Sequence, residues 1–539
     1  MHVAGRRPVL LAALVATLVS IAPSAAAPVA ASDFPASDSG YHNYAEMVSD
    51  IKATAAAHPT IVQAFSIGLS YKGHRIWAAK ISDNVATDED EPEVLIDALH
   101  HAREHLTVEQ ALYVLHALAD GYGTDDEVTR LVDSREIWIV FALNPDGFVY
   151  DLTGDPYRAW RKNRQPNANG TVGTDLNRNY SYRWGCCGGS SGRPADWNYR
   201  GSRPFSAPET RAIRDFVASR VVDGVQQIRT HITLHTNGEL ILWPYGHTKT
   251  NVPPDMTRDD HTAFVAFGRA MAALNGYTAE QSSDLYVTDG DEIDWLYATY
   301  RIFTFTFELY PTEKPTVWQD HYPPDEKIAA QTARNREAIL HLIDRADCPY
   351  ADAGIARRDC GPLYDDLEIA RPGWTRNPWS TDTATDGRWA RGNPAGTRAS
   401  GPKQLTTTAS GQAGLATGLA AGRKAGSNDL DGRTSIASPA VVLPDAPGPL
   451  TFAYSFAHTK ASTSRDWFRV YVWDVEADTR TVVYEEKGAG RDQDGAWAPR
   501  SVSLDAWAGK RIRVVFAAQD GSPHNIVEAQ VDDVRIRRP

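Results

Sequence analysis

Two periodicities of apolar residues alternate along the chain between about residues 41 and 345. Short runs rich in β-branched residues predict buried strands, and apolar residues spaced three and four apart predict amphipathic helices. The predicted strands are Val94–Leu99, Ile137–Leu143, Ile228–Leu234 and Ile302–Phe307. The predicted helices are Tyr44–His58, Val108–Ala119, Pro208–Arg220, Thr262–Leu274 and Glu326–Ile343. This alternation predicts an α/β domain with a mixed, mostly parallel twisted sheet flanked by helices.

The pattern changes after Cys360. Residues 366–445 show little helical periodicity and are rich in Gly, Ala, Ser and Thr. Further on, alternating polar and apolar positions predict short strands at Leu450–Phe456, Trp467–Trp473, Arg480–Glu485, Ser501–Leu504, Arg511–Ala517 and Ala529–Ile536. Short strands separated by turn residues predict an all-β, jelly-roll-like sandwich. The stretch Gly401–Gly426 could be a flexible linker, although we favour loops and edge strands of the sandwich.

The amino-terminal residues have the features of a secretory signal peptide. Arg6 and Arg7 precede an apolar run, Val9–Ile21, and small residues such as Ala27 follow it. The run is shorter than the ~20 apolar residues that a membrane-spanning helix needs. We therefore expect a secreted protein without a stable membrane anchor; a retained anchor and export by the twin-arginine route are the alternatives.

These patterns predict four segments. Residues 1–31 form the signal peptide, 32–346 the α/β domain, 347–365 a linker and 366–539 the sandwich. The total of 539 residues exceeds the roughly 100–200 residues of an ordinary domain, which agrees with two folded parts. Hydrophobic residues make up 42% of the chain, enough for two cores, so a wholly disordered chain is excluded.

Charge and cysteine content narrow the possible partners. The chain carries 55 Lys and Arg against 68 Asp and Glu, which gives a net charge of −13, and it has no long basic run. Nucleic acid is therefore an improbable partner.

The cysteine content fits an exported protein, because the chain has four cysteines and so few disulfides. Cys348 and Cys360 are the natural pair, whereas the state of the adjacent Cys186 and Cys187 stays open. None has the spacing of a cysteine-ligated zinc site.

Candidate metal ligands lie where the predicted strands end. His101 and Glu104 follow the strand that ends at Leu99, and their spacing lets an imidazole and a carboxylate converge on one ion. His235 closes another strand, with His231 as a second candidate in the same strand. Glu308 ends the apolar run IFTFTFEL, where a carboxylate is costly unless it meets a cation or a proton. Each residue alone could instead be a structural polar side chain.

The ordered set of motifs resembles the funnel-fold zinc carboxypeptidases typified by pancreatic carboxypeptidase A, including secreted bacterial and actinomycete enzymes. The resemblance runs from Tyr41 to about Arg345. Its motifs are HAREH, NPDG, RAWRKNR, TDLNRNY, LHTNGELILWPYG, LYVTDGDEIDWLY and TFTFEL. It implies the zinc carboxypeptidase fold and one Zn²⁺ per catalytic domain. It also implies hydrolysis of peptides or proteins that end in a free carboxylate.

The resemblance also implies roles for individual residues. His101, Glu104 and His235 would hold the zinc ion, with Glu308 as the general base. The other implied residues are Arg161 and Arg158 near the scissile bond, Asn177, Arg178 and Tyr286 on the substrate carboxylate, and Asp175 behind the first zinc histidine.

Substrate specificity is implied by a second set of positions. The resemblance places Leu242, Gly246, Gln281, Leu285, Asp291, Ile293 and Thr306 in the specificity pocket. Ile293 stands where relatives that cut basic residues carry an aspartate, which favours hydrophobic or aromatic terminal residues. Asp291 lies two residues before it, so we expect some tolerance of Lys or Arg.

Three further expectations concern alternatives and the sandwich. A non-catalytic binding protein and a hydrolase of cell-wall amide bonds are the competing functions. In the sandwich, the acidic segments SNDLDG and VDD could bind Ca²⁺, or could be turn residues at a solvated edge. The sandwich could also attach the enzyme to a protein or glycan surface.

Overall fold

The computed structural model describes residues 33–89, 91–222, 224–312, 314–368, 373–420, 429–521 and 525–538. The predicted signal peptide lies outside the described residues, and so do residues 421–428, which include Ser427 and Asn428 of the segment SNDLDG. Among the residues that are described, no helix is both long and apolar enough to cross a membrane.

The α/β part alternates between strands and helices, as predicted. Its strands are β1 (Val62–Leu69), β2 (Arg75–Ile81), β3 (Glu93–Ala98), β4 (Glu136–Val140), β5 (Val221–Val222), β6 (Val225–Gln226), β7 (Ile228–Thr236), β8 (Leu240–Trp243), β9 (Thr278–Gln281) and β10 (Phe303–Leu309). Its helices are α1 (Tyr44–Ala57), α2 (Leu106–Gly121), α3 (Asp126–Val132), α4 (Pro145–Asp151), α5 (Pro208–Ser219), α6 (Arg258–Asn275), α7 (Ser282–Leu285), α8 (Glu292–Tyr300), α9 (Val317–His321), α10 (Ile328–Arg334) and α11 (Arg336–Arg345).

Eight of these strands form one sheet in the order β1-β2-β4-β3-β7-β10-β8-β9. The central strands β4, β3, β7 and β10 are parallel, whereas β1 and β2 are antiparallel additions at one edge and β8 is antiparallel to β10. The sheet is therefore mixed with a parallel centre, which confirms the predicted fold class.

Apolar side chains cover both faces of this sheet. Successive residues of β3 and β4 alternate between two buried clusters, one packed against α2, α6 and α11 and the other against α5 and α8. Burial on both faces explains why the central strands are continuous apolar runs. In β10 even the threonines between the phenylalanines are buried.

Strand register determines where the polar residues at the strand ends meet. In the parallel pair β7 and β10, Glu308 lies opposite His235. In the neighbouring parallel pair, Ala98 of β3 lies opposite Leu234. The carboxyl ends of these strands therefore meet at one edge of the sheet, directly before the turn that carries His101 and Glu104.

One predicted helix is interrupted. Instead of a single helix Glu326–Ile343, the chain forms a 3₁₀ turn at Asp325–Lys327 followed by α10 and α11. The interruption lies at Asn335, whose buried side chain bonds to Gln110 and Asn275 across the interior. The apolar periodicity continues through this residue, which is why the sequence predicted one helix.

The last part of the chain contains two antiparallel six-stranded sheets that share one apolar core. Its elements are α12 (Ala356–Asp359), β11 (Leu363–Asp365), β12 (Thr375–Arg376), β13 (Trp389–Gly392), β14 (Thr397–Arg398), β15 (Pro402–Gln404), β16 (Gly414–Thr417), β17 (Gly432–Ala437), β18 (Val441–Val442), β19 (Leu450–His458), β20 (Trp467–Asp474), β21 (Thr479–Lys487), β22 (Ala498–Val502), β23 (Arg511–Asp520) and β24 (Val527–Ile536). Phe452 of one sheet packs against Phe516 of the other, with ring centroids 5.4 Å apart. The predicted strand Ser501–Leu504 is displaced, because the pairing with β19 involves Ala498–Val502 instead.

The segment between the two parts is bonded to both. Cys348 and Cys360 form the predicted disulfide, and Cys186 and Cys187 are also joined. Tyr350 packs in the core of the α/β part. Strand β11, at the end of the predicted linker, pairs with β24 of the sandwich. The connection is therefore ordered by contacts at both of its ends.

Candidate active site

Three potential metal ligands converge at the carboxyl edge of the sheet. His101 and Glu104 lie in the turn between β3 and α2, and His235 lies in β7. Nδ1 of His101 is 2.8 Å from one oxygen of Glu104, and Nδ1 of His235 is 2.9 Å from the other. The two Nδ1 atoms are 3.1 Å apart, and all three side chains are buried. Two imidazole nitrogens and one carboxylate therefore face a common point.

The opposite side of each imidazole ring is also held. Nε2 of His101 lies 3.1 Å from Oδ1 of Asp175, and Nε2 of His235 lies 3.3 Å from Nδ2 of Asn177. The carboxylate of Asp175 can accept a hydrogen bond from Nε2 of His101, which orients this ring and leaves its Nδ1 for an ion. The amide nitrogen of Asn177 can only donate, so its contact fixes the position of the His235 ring. Contacts within the protein therefore bring the Nδ1 atoms of His101 and His235 together.

The protonation states of this group suit a divalent metal ion. Burial lowers the pKa of His235 to about 4, which keeps the ring neutral. Burial opposes ionisation of Glu104, but the neighbouring His101 and His235 outweigh it and hold the pKa of this carboxyl well below its usual value. A neutral histidine and an ionised carboxylate are the ligating forms, and the set of two histidines and one glutamate is a known zinc donor set. The residues present therefore fit zinc.

Arg161 lies beside these ligands and has a free donor. Its Nε donates to Oδ2 of Asp175 at 3.0 Å, and its Nη1 lies 3.9 Å from Glu104. Its Nη2 is buried and has no hydrogen-bond partner among the described residues. Since Asp175 also contacts His101, one carboxylate orients both a potential ligand and this guanidinium.

Glu308 completes this group from the end of β10. Burial and the neighbouring Glu104 raise its pKa well above the usual value, while the positive charges of Arg161 and Arg178 oppose the rise. The carboxyl group of Glu308 is therefore close enough to Glu104, Arg161 and Arg178 for their charges to act on it.

A second arginine, Arg178, is almost completely buried, at 2% exposed. Its Nε donates to the carbonyl of Gly189 at 3.1 Å and its Nη2 to the hydroxyl of Tyr286 at 3.3 Å. Among the described residues, no carboxylate forms a salt bridge with it. Asn177 is fixed beside it, because its Oδ1 accepts from the backbone N–H of Glu292. Because buried charges are normally paired, this guanidinium is suited to an anionic group of a ligand.

Comparison with known proteins identifies this arrangement. The profile of the zinc carboxypeptidase family matches residues 47–338. The chain belongs to the zinc carboxypeptidase family. It is accordingly a metallocarboxypeptidase, a zinc-dependent hydrolase. The matched residues are the α/β part, and the sandwich lies outside them.

Individual relatives agree with the family profile. The chain is 48% identical over 320 residues to a zinc carboxypeptidase of Saccharothrix mutabilis subsp. capreolus. The aligned region covers 59% of this chain and 73% of that protein. It is 33% identical over 276 residues to carboxypeptidase A2 of Rattus norvegicus, covering 50% of this chain and 63% of the relative.

Solved structures show the same fold. The thrombin activatable fibrinolysis inhibitor matches with a TM-score of 0.51 at 26% identity, covering 57% of this chain and 74% of that one. Carboxypeptidase A from Helicoverpa armigera matches with a TM-score of 0.50 at 27% identity, covering 58% and 74%.

Some of the residues that the resemblance implies for the active site are exposed in the structure. Arg158 is exposed, donates to Thr153 and lies over the ring of Tyr150. Leu285, expected in the specificity pocket, is 42% exposed. Tyr286 is 45% exposed although its hydroxyl reaches Arg178.

The remaining pocket positions are mostly buried. They are Leu242, Gly246, Gln281, Asp291, Ile293 and Thr306. A Cβ atom added at Gly246 would lie 3.0 Å from Asp291 and from Ser282, and 2.1 Å from Thr288. Burial and Asp294 raise the pKa of Asp291 to about 7. The space above Gly246 thus has a polar wall that includes a carboxyl group.

His231 lies apart from the metal ligands. Its Nε2 is 2.6 Å from Asp97 and its Nδ1 is 2.6 Å from Thr304, in a fully buried network that includes His100 and Glu292. His235 is therefore the histidine of β7 that joins His101 and Glu104.

Two further residues of the site, Trp197 and Arg103, were not predicted from the sequence. Trp197, at 57% exposed, lies over the guanidinium of Arg161 with 4.9 Å to the ring centroid. Burial and the neighbouring positive charge of Arg161 lower the pKa of Arg103, the central residue of HAREH. Its position between the two ligands of the first motif could have drawn attention to it, whereas Trp197 lies in a loop without periodicity.

Proposed function

We propose that the protein is a secreted zinc exopeptidase that hydrolyses the last peptide bond of peptides and proteins and releases single residues. The observation that carries this proposal is the buried guanidinium of Arg178, which has no carboxylate partner among the described residues. The adjacent Asn177 contacts His235, one of the three convergent metal ligands. A free terminal carboxylate would pair with this guanidinium, so only the terminal bond would reach the reactive groups.

In this proposal His101, Glu104 and His235 hold the zinc ion, and Asp175 keeps His101 in its binding orientation. The bound ion acidifies water and polarises a carbonyl group. The chain's own residues then bind the substrate and move the protons.

Glu308 is the proton carrier in this proposal. Its carboxylate accepts a proton from the water that attacks the peptide carbonyl, and the resulting carboxyl group donates that proton to the leaving amine. The free Nη2 of Arg161 donates a hydrogen bond to the carbonyl oxygen as negative charge develops there. Asp175 fixes this donor in advance through Nε, so little reorganisation is needed.

The terminal carboxylate would be bound by Arg178, Asn177 and Tyr286. A guanidinium presents a planar fork to a carboxylate, and the phenol of Tyr286 adds a third donor. The ring of Tyr286 is half exposed, and in this proposal it moves over the bound substrate. An amidated terminus lacks the negative charge and would bind much more weakly.

We infer a preference for hydrophobic terminal residues with tolerance of Lys and Arg. Leu242 and Ile293 supply buried apolar surface, whereas the side chains of Thr288, Asp291 and Ser282 occupy the space next to Gly246. Asp291, when ionised, would attract a terminal basic side chain. Replacing Ile293 with Asp should raise the preference for basic residues, and an unchanged profile would contradict this assignment of the pocket.

Amino-blocked peptides with varied final residues test the function. Each peptide is incubated beside its carboxyl-amidated twin, with and without a zinc chelator, and the products are identified by mass spectrometry. We expect loss of single terminal residues from the free acids alone, abolished by the chelator. Internal cuts or equal cleavage of the amides would contradict the proposed carboxylate recognition.

Export is the second part of the proposal. The two disulfides agree with an oxidising compartment. Expression from the full coding sequence in a secreting bacterial host should yield protein in the medium whose first residue lies near position 32. Recovery of the intact amino terminus in the cell pellet would contradict export.

For the sandwich we keep two expectations, attachment to a protein or glycan surface and binding of Ca²⁺. Among the described residues of the sandwich, no three His, Cys, Asp or Glu side chains lie close enough together to hold one metal ion. Asp532 accepts from the backbone N–H groups of Ala409 and Ser410, which occupies one of its oxygens. Calcium titration followed by calorimetry would test the second expectation.

A further inference from the structure

A six-residue loop docks onto one buried carboxylate next to the site. Asp289 accepts hydrogen bonds from the backbone N–H groups of Gly185, Cys187 and Gly189, at 3.2, 3.1 and 3.0 Å, and from the hydroxyl of Ser190. The side chain of Asp289 is completely buried. One carboxylate thus gathers four donors from a segment that precedes it by about a hundred residues, and no step of the proposed chemistry uses it.

The same loop holds Arg178. The carbonyl of Gly189 accepts from Nε of Arg178 at 3.1 Å, while Nη2 of the same guanidinium reaches Tyr286. On the other side of Asp289, the carbonyl of Gly290 accepts from the backbone N–H of Tyr180 at 2.9 Å. The segments around residues 178, 189 and 289 are therefore joined pairwise.

Two glycines show how closely these segments pack. A Cβ atom at Gly189 would lie 2.3 Å from the carbonyl carbon of Thr288 and 2.7 Å from the backbone nitrogen of Asp289. A Cβ atom at Gly290, whose φ is +65°, would lie 2.7 Å from the carbonyl oxygen of Arg178. Because backbone packs directly against backbone here, a displacement of the loop would also move the Gly189 carbonyl that orients the guanidinium of Arg178.

The loop also contains the disulfide between adjacent residues Cys186 and Cys187. This bond closes a small ring that includes the peptide group joining the two residues, and the N–H of that peptide, on Cys187, is one of the donors to Asp289. Closing the ring restricts the backbone torsions at this position, so the N–H is held in the direction of the carboxylate.

We propose that Asp289 and the Cys186–Cys187 loop are positioning elements for recognition of the substrate's terminal carboxylate. They hold the Gly189 carbonyl in place, and through it the guanidinium of Arg178 in reach of Tyr286. This inference rests on the proposed role of Arg178 and Tyr286. Because a terminal carboxylate is bound equally in the ground state and the transition state, loss of positioning raises KM and leaves kcat largely unchanged.

Substitution of Asp289 gives the first test, on the full zinc-loaded protein. We expect Asp289→Ala to raise KM for a blocked free-acid peptide by about tenfold or more with kcat within about twofold of the parent. Asp289→Asn keeps one acceptor oxygen and should show a smaller rise. The exposed Asp284→Asn, on the same segment, is the matched control and should leave both constants unchanged. Zinc content and thermal unfolding are measured for each variant.

The disulfide gives a second test that needs no change at Asp289. A small dithiol reduces the Cys186–Cys187 bond to two thiols and is itself oxidised to a cyclic disulfide. In a variant with Cys348 and Cys360 replaced by Ser, the loop contains the disulfide that the dithiol can reduce, and zinc content is measured after treatment because dithiols also bind zinc. We expect KM to rise with kcat retained. The variant with Cys186 and Cys187 replaced by Ser should have a raised KM before treatment and no further response.

The outcomes separate this inference from the proposed function. If the parent protein cleaves amidated peptides as well as free acids, the proposed carboxylate recognition fails. If the parent discriminates but Asp289→Ala and loop reduction leave KM unchanged, only the positioning role fails. A fall in kcat at constant KM in either experiment would also contradict it. Should Asp289→Ala not accumulate as folded protein, the reduction experiment decides alone.

Discussion

Glu308 lies opposite His235 in the paired strands β7 and β10, so its backbone position is set by the centre of the sheet. Replacement by Gln keeps the shape of the side chain but removes its ability to accept a proton. We expect Glu308→Gln to lower kcat by about 10²–10⁴-fold with little change in zinc content or KM. Steady-state kinetics beside metal analysis would check this. Near-normal turnover by the zinc-loaded variant would remove Glu308 from the proposed mechanism.

The carboxyl group of Asp291 predicts how the preference for basic terminal residues depends on pH. Because burial and Asp294 raise its pKa to about 7, the side chain is neutral below this pH and negative above it. Only the negative form attracts a terminal Lys or Arg. The ratio of kcat/KM for a peptide ending in Lys to that for one ending in Leu should therefore rise about tenfold between pH 6 and pH 8.

This ratio cancels titrations that both peptides share, such as that of Glu308. Asp291→Asn cannot ionise and should give a ratio that does not change with pH. An unchanged ratio in the parent protein, or the same rise in the variant, would exclude Asp291 as the group that attracts basic residues.

At the scale of single residues, the sequence indicates which side chains lie together where polar residues coincide with strand ends. His101, Glu104 and His235 directly follow or end apolar strands, so their meeting could be predicted from the parallel topology. Arg158 donates to Thr153, and its place near the scissile bond stays a prediction. Asp289 could not be predicted, since its partners lie in the aperiodic loop Gly185–Ser190.

At the scale of elements, the central strands were predictable because burial on both faces produces unbroken apolar runs. Strand β3 was expected at Val94–Leu99 and lies at Glu93–Ala98. The edge strand β1 was not assigned from periodicity, because most of its residues are only partly buried and its apolar pattern is weak. Short strands such as β8 depend on pairing with a neighbour that lies far away in the chain.

Asn335, at the junction of α10 and α11, shows how a buried polar residue can end a helix. Its Nδ2 donates to Gln110 at 2.9 Å, and its Oδ1 accepts from Asn275 at 2.9 Å. We expect Asn335→Ala to destabilise the protein by about 2–4 kcal/mol, because both partners would be left buried and unpaired. Urea unfolding followed by circular dichroism would measure this.

The matched control is Gln331→Ala, one turn earlier on the partly buried side of α10, which should cost less than Asn335→Ala. Equal stability of Asn335→Ala and the parent would show that water or a shifted side chain replaces both hydrogen bonds.

At the scale of the whole molecule, the connection between the two parts belongs to the core of the first. Tyr350 packs on Phe303 of β10 with ring centroids 5.1 Å apart, and its hydroxyl donates to Asp260 at 2.6 Å. Cys348 and Cys360, on either side of it, are also buried in this core. The predicted boundary at residue 346 stays a prediction, and the residues directly after it pack in the core of the α/β part.

Truncation tests this view. A variant that ends after residue 361 keeps the connection, whereas one that ends after residue 346 loses Tyr350 and exposes Phe303. We expect the shorter variant to unfold at a temperature about 5–10 °C lower, since loss of a buried aromatic side chain costs about 3–5 kcal/mol. Tyr350→Phe in the longer variant isolates the hydrogen bond to Asp260 from the packing. Equal unfolding temperatures for the two zinc-loaded truncations would mean that the connection contributes nothing to the stability of the α/β part.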